Sequence, residues 1–169
     1  TGSGKTNTIF HMLRQIWKMG IPFLVIEPAK TEYRKLLNSE LAPDLQIFTL
    51  GDESVSPFRL NPFEIMPGVP VQTHIDHLKS VFNASFIMYA PMPYVLERCI
   101  HEVYEDKGWD LVTSRNRRGF HRNANPTLTD LYRKIDEVVD RLGYEAKISM
   151  DIKASLKTRI NSLRIGGKG

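Results

Sequence analysis

The sequence holds a single cysteine, Cys99, in 169 residues. That excludes an internal disulfide, and a lone thiol fits a reducing compartment, so a cytoplasmic protein is the expectation. Cys99 falls in an apolar helical stripe, where a thiol behaves as a small hydrophobe. Long hydrophobic runs are missing as well. No stretch approaches the roughly 18 apolar residues that a membrane helix needs. Residues 1–20 lack the basic start and small-residue cleavage site of a signal peptide. Acid is scarce towards the end of the chain. None occurs between Asp110 and Asp130, where Arg115, Arg117, Arg118 and Arg122 fall. After Glu145 the only acid is Asp151, against Lys147, Lys153, Lys157, Arg159, Arg164 and Lys168. The basic excess suits either a polyanion surface or an ordinary solvated loop and helix face.

What is present is enough to fold. Apolar residues make up 41% of the chain, which can furnish a core, and a charged fraction of 25% argues against wholesale disorder. Ile9, Met12, Leu13 and Ile16 mark one face of a helix over residues 4–19, and Gly20 stops it. The continuous apolar run Ile21-Pro22-Phe23-Leu24-Val25-Ile26 reads as a strand covered on both faces, as in a parallel sheet. A short helix is expected over residues 31–38 and a second strand over 45–50. This alternation is an α/β pattern. Pro57, Pro62, Pro67 and Pro70 then make residues 51–72 an extended connection.

Four amphipathic stripes follow. They are Ile75-Leu78-Phe82-Phe86, Leu96-Cys99-Ile100-Val103, Leu131-Ile135-Val138-Leu142 and Ile148-Ile152-Leu156-Ile160-Leu163. Thr129 is the expected cap of the third. Residues 108–126 read as a polar, mobile loop with no strand. The predicted organisation is the N-terminal part of a nucleotide-binding core over 1–69, a helical insert over 70–165 and a flexible end over 166–169.

The chemistry is concentrated at the start. Gly4, Lys5 and Thr6 complete the pattern G-x-x-x-x-G-K-[ST], whose first glycine falls ahead of Thr1. Such a loop turns tightly on glycine so that several N–H groups face one anion, and the helix behind it adds its positive end. The candidate binding residues are Thr1, Gly2, Ser3, Gly4, Lys5, Thr6 and Asn7. Lys5 is the cation for the β- and γ-phosphates of ATP, and Thr6 is the Mg²⁺ ligand. The reaction also needs an acid at a strand tip. The match is Glu27 after Phe23-Leu24-Val25-Ile26, so Lys5 and Glu27 are the candidate catalytic residues. Glu32 is a second candidate. The alternative for Glu27 is a capping or loop carboxylate.

The stretches TGSGKTNTIFHML, FLVIEPAKTEYRKLL and LGDESVSPFRLNPFE resemble the HerA/FtsK superfamily of DNA-pumping P-loop ATPases, and within it HerA-like bacterial proteins and conjugation and type IV secretion ATPases. Three features carry the likeness: TGSGKTN, the pairs Glu27-Pro28 and Glu32-Tyr33, and Arg59-Leu60-Asn61-Pro62-Phe63 leading into the helices. The closing RINSLRIGGKG also resembles the family's return from its insert. Glu27 stands where HerA proteins usually carry aspartate.

The resemblance implies a partial RecA-like parallel sheet followed by a mainly helical insert. It implies ATP and Mg²⁺ as cofactors, a homo-hexamer and double-stranded DNA as partner, with a nuclease or effector also possible. It places the main acid pair, the sensor and the arginine finger beyond Gly169, so that this segment alone is expected to lack hydrolysis. Arg115, Arg117, Arg118 and Arg122, with Phe120 and His121 among them, are candidate nucleic-acid contacts. A secretion or conjugation motor and a nucleotide-gated scaffold are the alternatives. A small nucleotide kinase would need an arginine-rich lid that residues 31–60 do not show.

Overall fold

The structure is a computed structural model, and it describes residues 4–28, 30–49, 56, 60–119 and 124–164. It divides into two compact units, Thr1–Thr49 with Ser54–Ser56, and Leu50–Glu53 with Pro57–Gly169.

In the first unit, helix α1 spans Lys5–Lys18. Gly20 ends it as the sequence predicts. The N–H of Ile21 donates to the carbonyl of Ile16 at 3.2 Å and that of Gly20 to Trp17 at 2.8 Å. These paired bonds are a Schellman end, and they need the left-handed φ of 70° at Gly20. Of the expected apolar face, Leu13 is buried and Ile16 half-buried, whereas Ile9 and Met12 are exposed. Among the described residues of this unit, Leu13, Leu36 and Leu41 are the buried apolar ones. The Trp17 indole donates to Asp44 at 2.9 Å, and Lys18 pairs with Glu40 at 3.4 Å. The short helix expected over 31–38 is a 3-10 helix, Glu32–Asn38, and a second 3-10 turn covers Ala42–Asp44.

The two predicted strands are not in a sheet. A strand exists through its neighbour's N–H and carbonyl groups. Among the described residues neither run has a partner strand, apart from one bridge in which the Thr49 N–H donates to the Ser56 carbonyl at 2.9 Å. The side chains nevertheless alternate. Phe23, Val25 and Glu27 are half-buried, while Leu24 and Ile26 are 85% and 80% exposed. Leu45, Ile47 and Thr49 are half-buried, with Gln46 and Phe48 exposed between them. Period-two burial is a strand's side-chain pattern without its ladder. The described residues therefore form no parallel sheet, and the expected α/β core is replaced by a mostly helical chain.

The second unit contains helices α2 (Val71–Ser85), α3 (Met92–Asp106), α4 (Leu128–Leu142) and α5 (Ala146–Arg164). Interhelical pairs show that each runs antiparallel to the next. Gln72 meets His101 and Lys79 meets Glu97 between α2 and α3. Asp106 meets Lys134 and Glu102 meets Arg141 between α3 and α4. Asp140 meets Lys153 and Asp136 meets Lys157 between α4 and α5. The core between them includes Ile75, Cys99, Ile100, Ile135, Val138 and Leu156. Phe63 and Ile65 belong to the same core, and the Tyr104 hydroxyl donates to the Phe63 carbonyl at 2.9 Å. Residues 60–69 therefore begin the helical unit, ahead of the boundary expected at residue 70.

Two further expectations are corrected. The cap of α4 is Thr127, not Thr129. Its hydroxyl accepts from the Asp130 N–H, and the Asp130 carboxylate accepts from the Thr127 N–H, a reciprocal capping box. The 108–119 part of the predicted mobile loop is a pinned hairpin, with β1 (Trp109–Asp110) antiparallel to β2 (Arg115–Asn116). The Trp109 indole donates to Ala124, and the Val71 N–H donates to the Ser114 hydroxyl at 3.1 Å. The expected flexible end, 166–169, lies outside the described residues.

Candidate phosphate-binding site

Thr1, Gly2 and Ser3 lie outside the described residues; the site is built from Gly4 onward. Gly4 is the residue before α1 and has φ 71° and ψ 3°. A side chain is strained in that left-handed region, so glycine there lets the chain turn straight into the helix. The space around Gly4 is open. Among the described residues no side chain caps the start of α1, and no acid occupies its first turn. The first N–H groups of a helix have no partner within it, and they carry the positive end of its dipole. Lys5 and Asn7 are exposed beside them, and among the described residues Lys5 has no ion-pair partner. This is a helix start suited to an anion.

Thr6 is half-buried because it faces the 3-10 helix. Its hydroxyl donates to Glu32 Oε2 at 3.0 Å. The other oxygen of Glu32 receives Lys30 Nζ at 3.2 Å. The Thr6 hydroxyl and then Lys30 hold the Glu32 carboxyl below its usual range. Glu27 has a different occupation. Its Oε1 accepts the N–H of Glu32 at 2.9 Å and its Oε2 the N–H of Tyr33 at 3.3 Å. It therefore tethers the first turn of the 3-10 helix, the capping alternative open in the sequence. One turn along α1 from Thr6, Phe10 meets Tyr33 edge to face with ring centroids 5.3 Å apart. α1 and the 3-10 helix are thus registered at two points.

A magnesium–nucleotide complex fits these donors. The Thr6 hydroxyl oxygen and the Glu32 carboxylate are hard oxygens, as Mg²⁺ requires. Among the described residues no group of three or more His, Cys, Asp or Glu could hold a metal by itself. Glu32, the second candidate in the sequence, meets Thr6, and Lys30 pairs with it. The acid that follows an apolar run draws attention, but the contact with Thr6 is made by one five residues on.

The arginine cluster divides. Arg117 pairs with Asp110 at 3.3 Å, and Asp110 also accepts the N–H groups of Val112 and Thr113. Arg118 lies across Gly108, where an added Cβ would stand 3.1 Å from its Cγ. It faces a groove of about 250 Å³ with Lys107, Arg133 and Lys134, but Asp106, Asp130 and Glu137 line the same groove. Arg115 is exposed, and Arg122 lies outside the described residues. Most basic residues of α5 are also engaged, though Lys147 is exposed. Lys153 and Lys157 pair with acids of α4, Arg159 donates to the Ile87 carbonyl, and Lys157 and Arg164 sit 4.4 and 4.3 Å from the centre of the Tyr132 ring. Much of the basic excess in the sequence is internal pairing. Among the described residues no helix is long and apolar enough to cross a membrane.

The sequence profile of a family described as "Helicase HerA, central domain" matches residues 1–167. No curated protein sequence gives a significant match. Among solved structures, that of VirB4 from Thermoanaerobacter pseudethanolicus is similar in fold, with a TM-score of 0.61 at 18% sequence identity. The likeness covers 98% of this chain and 51% of that one, so the chain spans about half the length of the protein it matches.

Proposed function

The chain belongs to the HerA central-domain family, and from that premise we propose that it carries the phosphate-binding element of an ATPase that moves DNA. One observation carries the reading: a helix start with no side-chain cap among the described residues, behind a left-handed Gly4 and followed by Lys5 and by a Thr6 whose hydroxyl is already engaged by a carboxylate. Gly4 and the first N–H groups of α1 would bind the phosphates, a role the motif also assigns to Gly2 and Ser3. Lys5 places its ammonium on the β- and γ-phosphates, and the Thr6 oxygen faces the cation. When bound, Mg²⁺ neutralises charge that develops on the phosphoryl oxygens during transfer to water. The residues of this chain contribute positioning and fixed positive charge, which together supply most of the catalysis in phosphoryl transfer.

In this reading the working protein is a homo-hexamer around double-stranded DNA, served by a nuclease or effector partner. Arg115 and Arg118 are the hairpin arginines best placed to meet a phosphate backbone, since Arg117 is paired with Asp110. The second reading is a secretion or conjugation motor, which the fold likeness to VirB4 favours.

The test is the ATPase rate of the full-length protein with and without double-stranded DNA, beside a Lys5→Ala variant. The expected result is DNA-stimulated turnover that falls at least about a hundredfold in the variant, the usual scale for removing one charge-stabilising group. Turnover indifferent to DNA supports the secretion motor instead. ATP binding without turnover overturns both and leaves a nucleotide-gated scaffold.

A further inference from the structure

We propose that Glu32 is the acid that positions Thr6 for the cation, and that Glu27 acts only by holding Glu32 in place. The inference rests on the proposed nucleotide site and assigns the division of labour within it.

A hydroxyl has one proton and two lone pairs. The Thr6 proton points at Glu32 Oε2, 3.0 Å away, which aims the lone pairs elsewhere. A cation can take only a lone pair. A hydroxyl left to rotate offers a metal its proton as readily as its oxygen, and must be reoriented at each binding event. Glu32 removes that freedom in advance. Lys30 on the other carboxylate oxygen balances the charge and keeps Glu32 from turning away.

Glu27 cannot do the same work while it holds this geometry. Both of its oxygens are committed to backbone N–H groups, those of Glu32 and Tyr33. Those bonds set the start of the 3-10 helix and so the place from which the Glu32 side chain departs. The Phe10–Tyr33 contact holds α1 in register with that helix one turn away. The chain of support therefore runs from Glu27 to the 3-10 helix, to Glu32, to the Thr6 hydroxyl. Glu27 and Glu32 are both positioning residues, but only Glu32 touches the group that would meet the metal.

The experiment is nucleotide binding by the full-length protein, measured by calorimetry with ADP in Mg²⁺ and again in EDTA. The quantity read is the affinity gained from Mg²⁺. Glu32→Ala is expected to cut that gain about tenfold, the scale of one charge-assisted hydrogen bond. Glu32→Gln keeps an accepting oxygen and retains most of the gain. Glu32→Asp keeps the charge on a shorter arm and loses it several-fold, which separates lost positioning from a folding defect should Glu32→Ala melt early. Glu27→Gln, acting through Glu32, lowers the same Mg²⁺ gain by a smaller factor. A full Mg²⁺ gain in Glu32→Ala or Glu32→Asp overturns the inference, as does a loss confined to the Glu27 variant. A parent protein that binds no nucleotide in either condition overturns the proposed function and this inference together.

Discussion

Tyr104→Phe isolates one buried hydrogen bond of the helical unit. Tyr104 and Phe63 are both fully buried, and the phenol donates to the Phe63 carbonyl at 2.9 Å. Burial alone pushes the hydroxyl of Tyr104 well above its ordinary pKa. The ring stays in the variant, and with it the packing against Phe63 and the edge contact to His74 at centroid distances of 6.1 and 6.3 Å. Only the donor is lost, so the buried apolar area is nearly unchanged. What remains is a carbonyl with no phenol beside it, in a place water does not reach. Leaving one buried partner unsatisfied costs about 1–3 kcal/mol. In a urea titration the midpoint falls by about 1 M, at a slope of about 1–3 kcal/mol/M that does not itself change. Tyr89→Phe is the control, since Tyr89 is 71% exposed and its loss should stay within about 0.5 kcal/mol. A Tyr104→Phe effect as small as the control's would refute the reasoning, because the Phe63 carbonyl would then be satisfied without Tyr104.

Alkaline pH tests a second buried group. Burial pushes the Cys99 thiol up from 9.0 to about 12. Below the lower value the thiol is protonated in both folded and unfolded chains. Between the two values only the unfolded chain ionises, so stability falls as pH rises, by about 1.4 kcal/mol per unit for one group. Urea midpoints of the parent and Cys99→Ala, taken at about pH 8 and about pH 10, should converge at the higher pH; a constant gap contradicts the assignment. Thr127→Ala removes the capping box of α4 and should cost about 1 kcal/mol, read by thermal melting, with Thr129→Ala near neutral.

The helices were legible because amphipathic spacing is a local property. Gly20 ends α1 where expected, and the stripes through Ile75, Cys99, Ile135 and Leu156 each lie in a helix and reach the core. The cap of α4 was misplaced although the information was present: Thr127 has an acid three residues on, Asp130, whereas Thr129 has Tyr132 there. The strands were not legible as such, because the runs at 21–26 and 45–50 carry only half of what a strand needs. Their side chains alternate, but a ladder depends on what lies alongside. At the candidate site, Gly4, Lys5 and Thr6 follow from a motif whose spacing is its mechanism. The choice between Glu27 and Glu32 depends on how a tether across the intervening turn directs each carboxylate, which spacing does not encode. The same holds for α5, whose lysines look unpaired until its register against α4 sets Lys153 beside Asp140 and Lys157 beside Asp136.

The serial arrangement of α2 to α5 has a kinetic consequence. Each helix packs on the one that follows it in sequence, so most contacts of this unit close short loops. Topologies of that kind have low contact order and reach the native state in microseconds to milliseconds. Among the exceptions are the tethers from residues 60–65, where the Phe63 carbonyl waits for Tyr104 on α3 and the Asn61 side chain for the Pro126 carbonyl. Formation of α3 against α4 would come early, and the docking of the segment that leads into the helices would come late.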